Sequence, residues 1–344
     1  MHQVGGFCGL NTEGTGEKRM NKQIWLGVDV GSVSTNLVVL DGAGQLMQKI
    51  YIRTNGDPIG SVQRALDELR HREIETVSGL GITGSGRQLI AAAVGADLVK
   101  NEITAHAVAA AHFYPDVQTI MEIGGQDSKL ILMRQGVAVD FAMNTVCAAG
   151  TGSFLDQQAG RLKLPVERLG ELALQATNPV RIAGRCSVFA ESDMIHKQQM
   201  GHSLPDIVAG LCLALVRNFL NNLGKGKELL PPFVFQGGVA ANIGIRRAFE
   251  EVLGAEVIVP EHYGVMGAVG AALLAREEMQ RNPRPTAFRG FGLANREIHC
   301  ESLECTYCPN HCEVVFLQLD GQTIAGWGDR CGRWQGAKKD LRVG

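Results

Sequence analysis

The stretch "QIWLGVDVGSVSTNLVVLD", residues 23–41, holds two apolar, β-branched runs joined by Gly31-Ser32. Runs of this length and composition favour strands, and a glycine between them marks a tight turn. The segment predicts a β-hairpin whose turn, "DVGSVST" (29–35), carries hydroxyl residues and one aspartate. A glycine at a strand end lets backbone N–H groups approach an anion with no Cβ in the way. Ser32, Ser34 and Thr35 would offer hydroxyls to phosphate oxygens, with Gly31 at the bend. Asp29 is placed to hold Mg²⁺, usually through its waters.

Outward from this hairpin, a third strand is expected near "QKIYIRT". A helix follows in "IGSVQRALDELRHREI", where apolar residues recur at helical spacing. "VSGLGITGSGRQLIAAAV" reads as strand, glycine turn, helix, and "NEITAHAVAAAHFYP" as an alanine-rich helix ended by Pro115. The pattern then restarts. "TIMEIGGQDSKLILMRQGVAVDFAMN" (119–144) is again strand, glycine turn, strand, strand, followed by helices near 150–162, 165–175 and 204–223. "PPFVFQGGVAANIGIRRAFEEVL" (231–253) gives strand, Gly-Gly turn and helix; "AEVIVPE" is a last strand, and a helix over 264–279 closes the repeat. Two such units imply a duplicated α/β architecture.

The expected organisation is a disordered, glycine-rich leader over 1–20, with Met20 as an alternative start and no role for Cys8. Domain I spans 21–112 and is completed by the helix 264–280; domain II spans 113–263. After the linker Asn282-Pro283-Arg284-Pro285, a small cysteine-rich module occupies 281–344.

Bulk composition excludes several classes of function. Of 344 residues 45% are apolar and 20% charged, with a net charge of -2, so nothing favours nucleic acid or an anionic membrane. No apolar run reaches the roughly 18 residues that span a bilayer, and no secretory signal is evident, so a cytoplasmic setting is expected. Nine cysteines in such a chain call for an explanation other than disulfides.

Two further glycine turns match the first in character. In "EIGGQDSK" (122–129), Gly124 and Gly125 would bind phosphate and Asp127 would hold Mg²⁺. There Gln126 would orient an attacking water, and Lys129 would either meet phosphate or stand as a solvated strand residue. In "FQGGVAAN" (235–242), Gly237 and Gly238 would let an adenosine lie flat against the backbone, with Asn242 closing the motif. One glycine turn is weak evidence, but three in this order, each pairing glycine with hydroxyl or carboxylate, point to a nucleotide. "GITGSG" (81–86) lacks the lysine of a P-loop.

The three turns resemble the phosphate-1, phosphate-2 and adenosine motifs of the acetate kinase/sugar kinase/Hsp70/actin superfold, a duplicated ribonuclease-H-like fold. "NEITAHA", "IGGQDSK", "CAAGTGSFL" and "CSVFAESD" together resemble one branch, the BadF/BadG/BcrA/BcrD-type ATPases. That branch includes the activators of 2-hydroxyacyl-CoA dehydratases, and the resemblance runs from about residue 24 to 278.

The resemblance implies ATP and Mg²⁺ as ligands, and Cys147 and Cys186 as two of four thiolates on a [4Fe–4S] cluster shared by a homodimer. A cubane needs four thiolates, and a two-fold axis repeats the two that one chain offers. A helix opening after Cys147 would aim its positive end at such a cluster. Without the resemblance, both would read as buried structural cysteines, as Cys212 does. Glu191 resembles an acidic residue near the nucleotide that contacts Mg²⁺ or water; otherwise it pairs on a surface. His106 and His196 are given no chemistry.

The implied activity is ATP-gated electron transfer from a ferredoxin or flavodoxin to a dehydratase-like or related reductase partner. A one-electron shift of about 200 mV is about 4.7 kcal/mol. Nucleotide states can supply it if affinities differ by roughly 10³ to 10⁴ between conformations.

In the tail, Cys305-x2-Cys308-x3-Cys312 and then Cys331 have the spacing of a metal site, [4Fe–4S] or Zn²⁺. Cys300 and His311 are spare ligands. Similar tails appear in longer relatives of the activators. Two rival readings are a sugar or carboxylate kinase of the same superfold, which would need a cleft aspartate as base, and a nucleotide-dependent metal-sensing or assembly protein.

Overall fold

A computed structural model describes residues 23–70, 74 and 76–334. The leader, including Cys8 and Met20, lies outside the described residues. The opening stretch forms β1 (Ile24–Val30) and β2 (Ser34–Leu40), continued by β3 (Leu46–Arg53) as an antiparallel meander. Next come α1 (Pro58–Arg70), β4 (Val77–Thr83), α2 (Arg87–Val94) and the two-residue β5 (Leu98–Val99). The sheet runs β3-β2-β1-β4-β5, with β4 parallel to β1.

Helix α3 (Glu102–Phe113) leads to the second unit: β6 (Thr119–Ile123), β7 (Ser128–Arg134) and β8 (Val137–Asn144). Helices α4 (Gly152–Leu162), α5 (Arg168–Ala173), α6 (Ser187–Gln199) and α7 (Leu204–Leu223) follow. Then β9 (Phe233–Gln236), α8 (Ile243–Leu253) and β10 (Val257–Ile258) complete a sheet of order β10-β9-β6-β7-β8. Read from its other edge this is the first sheet again, three antiparallel strands and then two parallel ones, so the duplication expected from the glycine turns is present.

Strand periodicity sorts the core into layers. Leu26, Val28 and Val30 of β1 face α1 and α2, whereas Trp25 faces α3 and the last long helix, α9 (Met266–Arg281). Ile120, Ile131 and Val234 of the second sheet turn to the same middle layer, while Met121, Leu130 and Phe235 face α7 and α8. The stack therefore runs α1/α2, first sheet, α3/α9, second sheet, α7/α8. Helix α9 lies so close to the first sheet that a Cβ on Gly27 would fall 1.9 Å from the Ala268 carbonyl oxygen. Helix α7 is, among the described residues, the one helix long and apolar enough to cross a membrane, but most of it is buried in the second core.

The cysteine-rich tail forms a third sheet of β11 (Ile298–Glu304), β12 (Glu313–Leu319) and β13 (Gln322–Trp327). It does not stand apart. Leu293, Leu317 and Leu319 are buried in the same cluster as Val62 and Leu66 of α1, and Asp97 accepts hydrogen bonds from Thr286 Oγ1 at 2.6 Å and Ala287 N at 2.7 Å.

Candidate nucleotide cleft and cysteine pair

The period-two rule that builds the middle layer also builds the site. Asp29 follows Trp25 and Gly27 on one face of β1; Glu122 follows Ile120 on β6; Gln236 follows Val234 on β9; and Lys129 precedes Ile131 on β7. All four reach toward α3 and α9 at the strand ends where the glycine turns begin. Between the two sheets opens a cleft of about 500 Å³, within the size range of small-molecule sites.

Asp29, Gly31, Ser32 and Ser34 line it from the first turn. Gly124, Gly125, Gln126, Asp127 and Lys129 line it from the second, and Gly237, Gly238 and Asn242 from the third. Gly237 has φ 89°, and a Cβ there would sit 2.6 Å from Glu122 Oε1. That position requires glycine. Asn242 accepts a hydrogen bond from Ile245 N and so caps α8.

Three expectations need correction. Thr35 is fully buried on the α1 side of β2, its hydroxyl bonded to Thr54 at 3.0 Å and Ser61 at 2.8 Å. The alternation that turns Ser34 into the cleft turns Thr35 away from it. Lys129 is neither a solvated strand residue nor free for phosphate: it is 2% exposed, with Nζ at 2.8 Å from Glu102, 2.9 Å from Glu122 and 3.0 Å from Asp127. Glu191 does not line the cleft. Its carboxylate pairs with Arg161 Nε at 2.8 Å and accepts from Gln157 Nε2 at 2.9 Å, both on α4.

Glu102, Glu122 and His106 also line the cleft, and each falls inside a motif quoted above for other residues. Burial, reinforced by Glu102 and the other carboxylates, raises Asp29 to about 7. Burial likewise raises Glu122 to about 7, with Lys129 opposing. Burial and then Lys129 drive His106 down to about 3, so its ring is neutral; Nδ1 meets Gln236 Nε2 at 2.9 Å. Asp156 and Glu167 also line the cleft.

Cys147 and Cys186 are both half-buried and each directly precedes a helical segment, Cys147 the short turn Ala148–Gly150 and Cys186 the helix α6. Cys147 Sγ lies 3.9 Å from the carbonyl oxygen of Arg185. Around them Val146 is 94% exposed and Phe189 67% exposed, large apolar side chains uncovered at one surface. Buried Asn218 donates to the Gly184 oxygen at 2.5 Å, fixing the second cysteine loop to α7. Two half-buried thiols on one surface fit half the donor set of a shared cubane. Among the described residues no group of three or more His, Cys, Asp or Glu side chains could hold a metal by itself.

That finding also corrects the tail. Cys305 N bonds the Cys312 oxygen at 2.8 Å, and the Trp334 indole N–H donates to Cys305 Sγ at 3.4 Å. Cys331 lies exposed near Asp329 instead. The four thiols do not gather into a donor set, because Cys305 turns into an apolar pocket with Phe316 and Trp334.

Paired sheets of this order, closing three glycine turns on one cleft, define a duplicated two-domain α/β protein with a small third sheet at its C-terminal end. The chain belongs to the BadF/BadG/BcrA/BcrD ATPase family, whose model matches residues 26–275. It is 36% identical over 257 residues to the (R)-2-hydroxyglutaryl-CoA dehydratase activating ATPase of Acidaminococcus fermentans, covering 73% of this chain and 96% of that one. It is 37% identical to the activator of lactoyl-CoA dehydratase of Anaerotignum propionicum, over 74% of this chain and 98% of that one. Among solved structures, the activator of the 2-hydroxyisocaproyl-CoA dehydratase from Clostridium difficile with bound ADPNP superposes with a TM-score of 0.68 at 31% identity, over 76% of this chain and 96% of that one. The β11–β13 sheet lies beyond the matched residues.

Proposed function

We propose that this chain is an ATP-dependent reductive activator. It couples ATP binding and hydrolysis to delivery of a low-potential electron from a ferredoxin- or flavodoxin-like donor to a dehydratase- or reductase-type iron–sulfur enzyme. The glycine turns bind the phosphates through backbone N–H groups, Asp29 and Asp127 hold Mg²⁺, and Gln126 orients the attacking water. A [4Fe–4S] cluster held by Cys147 and Cys186 of two copies of the chain would supply a one-electron carrier. The apolar rim of Val146, Val188 and Phe189 suits contact with a second copy, and the cytoplasmic setting belongs to the same reading.

One observation carries the coupling. The phosphate turn is stitched to the start of α4: Gly152 N and Ser153 N donate to the carbonyl oxygens of Gly124 and Gly125, each at 2.8 Å. Ser153 Oγ adds a third bond, to Gly125 at 2.6 Å. The chain before α4 carries Cys147, so a shift of the turn on nucleotide binding moves the cysteine loop with it.

The test is anaerobic purification with iron and sulfide counted per subunit, for wild type and Cys147→Ala. About four irons per dimer, lost in the variant, is the expected result. No iron in freshly prepared anaerobic protein overturns the electron-relay reading.

A further inference from the structure

Lys129 is surrounded by more negative charge than one ammonium can balance. Glu102, Glu122 and Asp127 all touch its Nζ, and the carboxylate of Asp29 interacts electrostatically with the same group. The three partners are unequally open: side-chain exposure is 6% for Glu122, 17% for Glu102 and 33% for Asp127. A cation entering from the cleft therefore meets Asp127 first. Beside this cluster Gln236, paired in register with Glu122, is fully buried, and its Oε1 has no hydrogen-bond partner. Its amide nitrogen is held by His106 Nδ1, and a buried acceptor left open on the strand beside Glu122 is one that a cation or its water would satisfy.

We propose that Lys129 is the resident counter-cation of the metal site and that a hard divalent cation displaces it from Asp127. The ammonium then remains on Glu122 and Glu102. Glu122 sits opposite Lys129 in the second sheet, whereas Glu102 lies in the first turn of α3. Metal occupancy in the cleft is thereby read as a strengthened bridge between β7 and α3, the helix sandwiched between the two sheets. Lys129 is a positioning residue in this account, acting through Asp127 and Glu102. The inference rests on the reading of the cleft as a Mg²⁺-nucleotide site and extends it to what the protein does with the metal's charge.

The test uses the full chain and Mg²⁺ alone, without nucleotide, iron or a partner enzyme. Thermal midpoints and Mg²⁺ affinities are measured for wild type, Lys129→Met and Glu102→Gln. Lys129→Met is expected to melt lower than wild type without metal, to regain most of the loss in Mg²⁺, and to bind Mg²⁺ at least tenfold more tightly, since no ammonium competes for Asp127. Should that variant fail to fold, Glu102→Gln decides the matter. There Lys129 leans more on Asp127, so Mg²⁺ affinity falls severalfold below wild type. Equal Mg²⁺ affinity in wild type and either variant overturns the proposal. ADP binding to wild type, measured separately, shows whether the cleft reading itself stands, and the iron count bears on neither result.

Discussion

Asn144 grips Cys147 from both sides. Its Oδ1 accepts from Cys147 N at 2.9 Å and its Nδ2 donates to the Cys147 oxygen at 2.8 Å. Because Asn144 is 7% exposed, replacing it leaves Cys147 N without this partner and Cys147 O with only the 3.5 Å bond from Gly150 N, at a cost of about 1–3 kcal/mol. Asn144→Ala is expected to retain ATP hydrolysis within about threefold, the ordinary range of effects of a residue that does not touch the reacting atoms. On the proposed cluster reading it should also lose iron to a chelator faster than wild type. Release at the wild-type rate would show that the loop holds its shape without the amide.

The cleft makes unequal demands on two residues the sequence grouped together. Gln126 stands in the glycine turn at the cleft, whereas Glu191 is occupied by Arg161. Gln126→Ala should slow ATP hydrolysis by about 10²-fold or more, the usual scale for a group that handles the attacking water. Glu191→Ala should change it less than about threefold, since its carboxylate lies outside the cleft and pairs with a largely exposed Arg161. Steady-state phosphate release on both variants checks the contrast.

Asp29 and Glu122 both titrate near 7 in the folded chain, above the ordinary carboxylate value. The folded state therefore holds extra protons between roughly pH 4 and 7, and the stability these groups contribute is lost as pH rises through 7. Without divalent cation, the thermal midpoint should fall from pH 5 to pH 8, and Asp29→Asn should flatten that slope. Mg²⁺ needs the ionised carboxylates, so its affinity should climb with pH up to about 7 and then level off. Isothermal titration across the same range reads it directly.

Leu317 of the tail sheet is fully buried in the cluster that also holds α1. Leu317→Ala should cost about 2–5 kcal/mol and lower the unfolding midpoint of the first domain along with the tail, measured by urea denaturation. Unfolding of the tail alone, with the rest unchanged, would show two independent units.

Much of the architecture could be read directly from residue order. Alternating apolar runs around Gly31, Gly124–Gly125 and Gly237–Gly238 marked both sheets and their common cleft, because a strand's period and a glycine's freedom are local properties. Helix α6 was missed, since its exposed Val188 and Phe189 break the one-sided apolar stripe of a surface helix. Thr35 was misplaced by one step of the pleat, which sends its hydroxyl to Ser61. Lys129 could not be placed without knowing that Glu102, on another element, folds back onto it. The tail cysteines had suitable spacing, but whether thiols converge depends on the packing of Trp334 and Phe316 between distant turns.

The tail sheet packs on α2 and shares the core of α1, whereas the cysteine loops belong to the second domain. With layers about 10 Å apart, the first sheet and the α3/α9 layer stand between the tail and the second sheet. Any rotation of one domain on the other is therefore multiplied there, as at the end of a lever.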